Sequence, residues 1–263
     1  LEFNADTPTS LLEASVIQWQ WKEDVFPECD QFNGIHEGLV QSWKDIFPKK
    51  GEIYFAGALE NNEDTGTLQY LASTAMEAGF STRVLDMQAL DLQNGRFFDP
   101  AGELVNRCFK LYPWEWMVDE SPDGCLAEME WLEPIWKLVM SNKAILATLY
   151  ELFPDSPYVL PCYLSRPRSG LFCKKPVFSR EGHNVSVVDI RDWEEYVRIA
   201  ETEGDYNTGA YVYQEYVEPT VYSGRYPVIG SWIIGGEAAG IGIRENRMEV
   251  TDNLSEFVPH IIG

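Results

Sequence analysis

Basic residues are scarce in this chain. Over 263 residues, 20 Lys and Arg stand against 42 Asp and Glu, a formal charge of −22. A protein that coats nucleic acid or docks on anionic lipid needs a basic face, so neither mode is expected. A partner carrying amines suits this charge better, although high net charge acts first on solubility. Long apolar runs are missing too, and no stretch approaches the ~20 residues of a membrane span. Histidine occurs only at His36, His183 and His260, which do not make a zinc site. The five cysteines (Cys29, Cys108, Cys125, Cys162 and Cys173) contain no CxxC pair. Reduced, mostly buried thiols and a cytoplasmic setting are therefore expected. The opening Leu1-Glu2-Phe3-Asn4-Ala5-Asp6 has no basic start and no apolar core. No signal peptide is expected there, and without an initiator Met the chain is expected to be part of a longer protein.

The pattern that is present is mixed. Leu1 to Asn4 reads as a strand, Leu11 to Trp21 as an amphipathic helix, and His36 to Ile46 as a second helix ended by Pro48. Strand Ile53–Ala56, polar loop Asn61–Thr65, helix Leu68–Ala78 closed by Gly79, and strand Ser81–Leu85 make a βαβ unit, hence a small parallel sheet. Gly95, Pro100 and Gly102 mark a hairpin before strand Val105–Leu111. A helix is predicted over Asn142–Leu152. Strands follow at Leu171–Lys174 and Val185–Val188, then a helix at Asp192–Glu201, then strands at Ala210–Val217, Pro227–Ile234, Glu237–Ile243 and Met248–Thr251. Early βαβ and a late antiparallel run predict an α/β or α+β chain in at least two lobes.

The charge is unevenly distributed. From Lys137 to Arg180 seven basic residues meet only Glu151 and Asp155, a local balance of +5. Lys and Arg are what a polyphosphate needs, though a solvated face with a chance excess of cations would look the same. Gly182 lies in Ser179-Arg180-Glu181-Gly182-His183-Asn184 between two strands, where a turn can lay N–H groups over phosphates or simply reverse the chain. No phosphate-loop or dinucleotide fingerprint is present, so a nucleotide here calls for another fold. Glu2 and Asn4, two apart on a strand, would share one face and offer oxygens to Mg²⁺, or simply face water. Glu63 and Asp64 read as a loop pair or as the acidic first turn of a helix. Gln214-Glu215-Tyr216-Val217 ends a strand, and Arg244 follows the glycine-rich Gly240-Ile241-Gly242-Ile243.

Taken in order, several segments resemble the synthetase domain of the glutathionylspermidine synthase family and its bacterial acid–amine ligase relatives. They are Glu2-Phe3-Asn4-Ala5-Asp6-Thr7, Trp114-Glu115, Glu133-Pro134-Ile135-Trp136, Ser141 to Leu146, Lys175-Pro176, Arg180 to Asn184, Tyr213-Gln214 and Gly240 to Arg244. The resemblance covers essentially the whole chain. It implies a permuted ATP-grasp fold, in which two β-rich lobes clamp ATP and an inserted small α/β domain binds the acid. The implied divisions are 1–34 and 134–263 for the lobes and 35–133 for the insert.

The implied chemistry joins a carboxylate to an amine through an acyl phosphate, with ATP and Mg²⁺ as cofactors. A peptide-like acid and an amine or polyamine are the partners. By resemblance Glu2 and Asn4 are metal ligands, and Lys143 and Lys175 the nucleotide lysines. Glu181, Gly182 and His183 cover the phosphates, Gln214, Glu215, Tyr216 and Val217 form the adenine hinge, and Arg244 contacts the phosphate or acyl phosphate. Thr7, Glu63, Asp64, Glu115 and Trp116 fall at the substrate. Trp116, Thr7 and His183 depart from the glutathione-using pattern, which leaves the acid's identity open. The family's Arg-x-Asp motif precedes the Glu-x-Asn segment and lies upstream of Leu1, so this chain alone is expected to turn over little. A non-catalytic nucleotide-binding scaffold is the rival expectation.

Overall fold

The computed structural model describes residues 1–192, 195–206, 209–248, 250 and 255–263. The chain falls into two compact units. An α/β unit comprises Asn4–Leu138, Ile229–Ile243 and Val258–Gly263, and a β-rich unit comprises Leu1–Phe3, Val139–Val228 and Arg244–Phe257.

The α/β unit opens with a π-helical turn, Glu13–Ile17, that runs into α1 (Gln18–Val25), followed by α2 (Ile35–Ile46). Then come β1 (Glu52–Gly57), α3 (Asn62–Glu77) and β2 (Ser81–Asp86). Two short hairpins, β3 (Asp91–Gln93), β4 (Arg96–Phe98) and β5 (Leu104–Val105), precede β6 (Arg107–Leu111). After it come α4 (Trp114–Glu120), α5 (Pro122–Cys125), β7 (Glu130–Leu132) and α6 (Lys137–Ser141).

The main sheet is ordered β2-β1-β6-β7, and all its pairings are parallel. The apolar run Ile53-Tyr54-Phe55-Ala56 is fully buried because a parallel sheet is covered on both faces. One face packs on α2 and α3 through Trp43, Phe55, Leu68, Leu71 and Phe109. The other packs on Trp114, Met117 and Trp131. At Gly57 an added Cβ would lie 2.9 Å from Leu68 and 3.0 Å from the Leu111 carbonyl, so only glycine lets β1 end this close to β6.

In the β-rich unit α7 (Ile145–Leu152) is followed by β8 (Cys162–Tyr163), β9 (Gly170–Pro176), β10 (Ser186–Ile190), β11 (Tyr196–Glu201) and β12 (Tyr211–Glu215). They form one antiparallel sheet ordered β11-β10-β9-β12-β8. Leu146 and Ala147 of α7 pack on Cys162 and Val212. A third sheet pairs β13 (Tyr226–Ile234), β14 (Glu237–Asn246) and β15 (Glu256–Val258) in that order. The chain is thus a mixed α/β protein with several sheets.

Four local expectations are corrected. Leu1–Asn4 is not a strand, because among the described residues no segment forms a ladder with it. The Asn61–Thr65 loop is the start of α3: the Asn61 side chain caps it by accepting from the Glu63 N–H at 2.9 Å. Asp192–Glu201 is not a helix. Asp192 accepts from the Glu195 N–H at 2.8 Å, a turn with the same local chemistry as a helix cap, after which Tyr196–Glu201 pairs with β10. The Val105–Leu111 strand is broken at Asn106 into β5 and β6. The predicted strand at Met248–Thr251 lies partly outside the described residues.

Candidate functional site

The β-rich unit holds most of the predicted nucleotide residues. Lys175 lies on β9 and is 9% exposed. Its Nζ donates to the Gln214 side-chain oxygen and to the Leu1 carbonyl, both at 3.1 Å. The pairing of β9 with β12 sets this contact: Val212 lies opposite Lys175, and Gln214 is the next residue on the same face. Lys143, 7% exposed, precedes α7 in a turn that the Asn142 side chain closes on the Ala144 N–H. Its Nζ donates to the Ser179 carbonyl at 2.7 Å and lies 3.7 Å from the Glu2 carboxylate. Burying an ammonium is costly unless it meets charge or hydrogen-bonding partners. Two such buried ammonium groups lie in one unit, Lys143 with the Glu2 carboxylate at 3.7 Å and Lys175 on neutral oxygens.

The loop that Lys143 anchors has a defined form. The His183 N–H donates to the Arg180 carbonyl at 2.8 Å, with Glu181 and Gly182 between them at φ of 54° and 71°. Both central residues are left-handed, as in a type I′ turn. A second strap holds this turn, which sequence reading missed. The Thr202 hydroxyl donates to the Gly182 carbonyl and accepts from the Val185 N–H, and Asn184 accepts from the Tyr206 N–H. A Cβ on Gly204 would sit 2.4 Å from His183, so this glycine lets the strap close on the loop. The Gly204-Asp205-Tyr206 run was the available signal.

In the predicted adenine hinge, the Glu215 and Tyr216 N–H groups donate to the Pro161 and Leu171 carbonyls at 2.7 and 3.0 Å. Gln214 is buried and Val217 exposed. Arg244, on β14, donates to the Ser255 carbonyl at 3.4 Å. The structure therefore brings Glu2, Lys143, Lys175 and Gln214 together.

The predicted substrate residues lie in the α/β unit. In the order β2-β1-β6-β7 the chain moves from β1 to one flank and then returns to the other, so direction reverses between β1 and β6. Open parallel sheets bind ligands outside the carboxyl ends of strands at such a reversal. Glu63 and Asp64 occupy the first turn of α3, after β1. Glu115 and Trp116 occupy the first turn of α4, after β6. Two helix N-termini meet the acidic groups they favour, and the same groups suit an ammonium. The Trp116 ring lies 5.4 Å from Tyr112, edge to face, with its outer side exposed. Thr7 is buried nearby in sequence to Asp6, whose carboxylate accepts from the Trp114 N–H.

Glu2 belongs to the β-rich unit and Asn4 to the α/β unit, and the two do not share a strand face. Among the described residues no group of three or more His, Cys, Asp or Glu side chains could hold a metal.

All five cysteines are free. Burial pushes the Cys108 thiol up to about 12, against the opposing field of Lys110. Burial raises Cys125, Cys162 and Cys173 as well. A raised thiol is protonated at neutral pH and inert. Iodoacetamide at pH 8 should therefore label the half-exposed Cys29 well before Cys108, with labelling accelerating as pH rises and turnover largely retained. Peptide mapping beside an activity assay checks this, and stoichiometric loss of turnover on labelling would contradict it.

No helix among the described residues is long and apolar enough to cross a membrane. The family model for the glutathionylspermidine synthase preATP-grasp region matches residues 1–263. A Haemophilus influenzae protein provisionally named an acid–amine ligase is 38% identical over 273 residues, covering 98% of this chain and 70% of its own. Trypanothione synthetase of Crithidia fasciculata is 27% identical, with 97% and 43% covered. The bifunctional glutathionylspermidine synthetase/amidase of Escherichia coli is 26% identical, with 99% and 46% covered. The chain thus spans less than half the length of the last two. A Methylobacillus flagellatus crystal structure, provisionally described as a gamma-glutamylcysteine synthetase, shares the fold at TM-score 0.59 and 11% identity. It covers 87% of this chain and 75% of its own.

Proposed function

Because the chain belongs to the glutathionylspermidine synthase preATP-grasp family, we propose that it is the synthetase part of an ATP- and Mg²⁺-dependent ligase joining a peptide-like carboxylate to an amine or polyamine. The observation that carries this reading is the pair of buried ammonium groups, Lys143 and Lys175, beside Glu2 and Gln214 in the β-rich unit. That unit binds the nucleotide, and the α/β unit binds the acid. The free cysteines, two buried and three partly exposed, accord with a cytoplasmic enzyme.

Phosphoryl transfer asks little of a protein nucleophile and much of its cations. Lys143 and Lys175 hold the phosphates. The Glu181-Gly182-His183 turn lies over them, fixed by Ser179 below and Thr202 behind. Gln214 to Val217 border the adenine, and Val217, past the last paired N–H, stands at the open end. Glu2, beside Lys143, would hold Mg²⁺, which would neutralise charge on the phosphates when bound. Arg244 offers its planar fork to the transferring phosphoryl group. Thr7, Glu63, Asp64, Glu115 and Trp116 hold the acid. One carboxylate oxygen attacks the γ-phosphorus and ADP departs. The amine nitrogen then attacks the acyl carbon, and inorganic phosphate leaves carrying that oxygen.

The test is phosphate release by the full-length protein with Mg-ATP across a panel of peptides and polyamines. A ligase releases phosphate only when acid and amine are both present. Nucleotide binding without release under any pair would instead favour a non-catalytic scaffold.

A further inference from the structure

We propose that Asp6 and Lys110 are a positioning pair that fixes the acid-binding end of the α/β unit, a statement that rests on the ligase reading above. Neither residue carries a role in that reading. Both lie wholly inside the protein, with side-chain exposures of 1% and 0%. The Asp6 carboxylate accepts from the Trp114 backbone N–H at 2.9 Å, across 108 positions of sequence. The same oxygen lies 3.7 Å from the Lys110 Nζ. Lys110 donates to the Tyr112 carbonyl at 2.8 Å and sits 4.3 Å from the centre of the Trp114 ring. The Trp114 indole N–H in turn donates to the Glu133 carbonyl at 3.0 Å.

These contacts matter because of what stands beside them. The segment Ala5–Thr7 belongs to no helix or strand, so no ladder sets its position. It is nonetheless buried, and Asp6 fastens it to the first N–H of α4. Thr7 is the next residue after Asp6, and Glu115 and Trp116 follow Trp114. The Asp6–Trp114 hydrogen bond therefore ties together the segments that carry the two sides of the acid subsite. Lys110, on β6, holds the turn from below through Tyr112 and neutralises the carboxylate. A buried ion pair is weak evidence for stability but can fix one geometry over others, which is the use the pair has here. The chemistry of both groups is spent inside the protein, so they act on the substrate through Thr7, Glu115 and Trp116.

The experiment uses the full-length protein with Asp6→Ala, Asp6→Asn and Lys110→Met, and glutathione as the peptide-acid probe. Asp6→Ala and Lys110→Met are expected to raise the glutathione KM or Kd at least about tenfold while the ATP constant moves less than about twofold. Asp6→Asn keeps an acceptor for the Trp114 N–H and is expected to recover part of the loss. An equal rise in both constants would mark a general structural role and overturn the proposal, as would an unchanged glutathione constant. If the wild-type protein does not take glutathione, the acid is another peptide-like carboxylate, and amide exchange decides the positioning claim. The Trp114–Met117 amides should then exchange at least about tenfold faster in Asp6→Ala than in wild type, with Asp6→Asn between them. Unchanged exchange would overturn the pair. If Asp6→Ala does not fold, Asp6→Asn and Lys110→Met carry the same comparisons.

Discussion

Replacing Lys175 with Met is expected to weaken Mg-ATP binding roughly 30-fold to several thousand-fold without lowering the melting temperature of the free protein. The affinity loss follows from truncating one partner of a buried charged contact, which costs roughly 2–5 kcal/mol, at about 1.4 kcal/mol per tenfold. The stability expectation follows from what surrounds the ammonium when no nucleotide is present. Lys175 is 9% exposed, and its Nζ donates to two neutral oxygens, those of Leu1 and Gln214. Among the described residues no carboxylate pairs with it, so the folded protein bears a desolvation cost that Met would not. A residue retained at such a cost to the fold is explained by an anion that it meets later. Lys143→Met should weaken nucleotide binding by a similar factor but with a fall in melting temperature. It removes a bond to the Ser179 carbonyl and leaves Glu2 without its neighbour at 3.7 Å. Calorimetric titration and thermal melts of both variants check the pair of outcomes. Unchanged nucleotide affinity in either variant would displace that lysine from the site.

Arg244→Ala should act on rate rather than binding, with kcat falling about 10³-fold and the KM values for ATP and acid changing far less. A preorganised cation facing the transferring phosphoryl group stabilises charge that is greatest in the transition state. Removing such a group costs about 10²–10³ for a single oxyanion donor and 10³–10⁵ for an arginine in phosphoryl transfer. Arg244 lies near the end of β14, where its Nη2 donates to the Ser255 carbonyl at 3.4 Å. Arg244→Lys keeps the charge but not the fork, and should recover less than about tenfold. Steady-state kinetics separates the cases: a rise in KM with kcat intact would make Arg244 a binding residue only.

What could be read from the sequence was what a local period records. Ile53–Ala56 is a short apolar run, and it is a wholly buried parallel strand. Gly79, at φ 93°, closes α3 where the pattern placed it. The errors came where one local chemistry serves two structures. Glu63 and Asp64 look like polar loop, but acids are favoured in a helix's first turn and Asn61 caps it. Asp192 looks like a helix cap, yet the same bond to the Glu195 N–H closes a hairpin whose strands pair at long range. At the candidate site, the excess of cations between Lys137 and Arg180 marked a stretch that contains Lys143 and Lys175, since clustered charge is visible along the chain, and the family resemblance singled out these two. Asp6 and Lys110 could not be seen this way. Each is a lone charge within its own segment, and their meeting depends on β6 and the Asp6 segment folding together at long range, as does the Asp6–Trp114 bond across 108 positions. The strap from Thr202 to Tyr206 was hidden for the same reason.

The central claim is that ATP activates the acid as an acyl phosphate before the amine attacks. An acid substrate labelled with ¹⁸O in its carboxylate tests this most directly, through mass analysis of the inorganic phosphate released during turnover by the full-length protein. One labelled oxygen should pass into each phosphate, because the carboxylate oxygen that attacks phosphorus leaves with it. Phosphate free of label, with amide formed, would contradict the account.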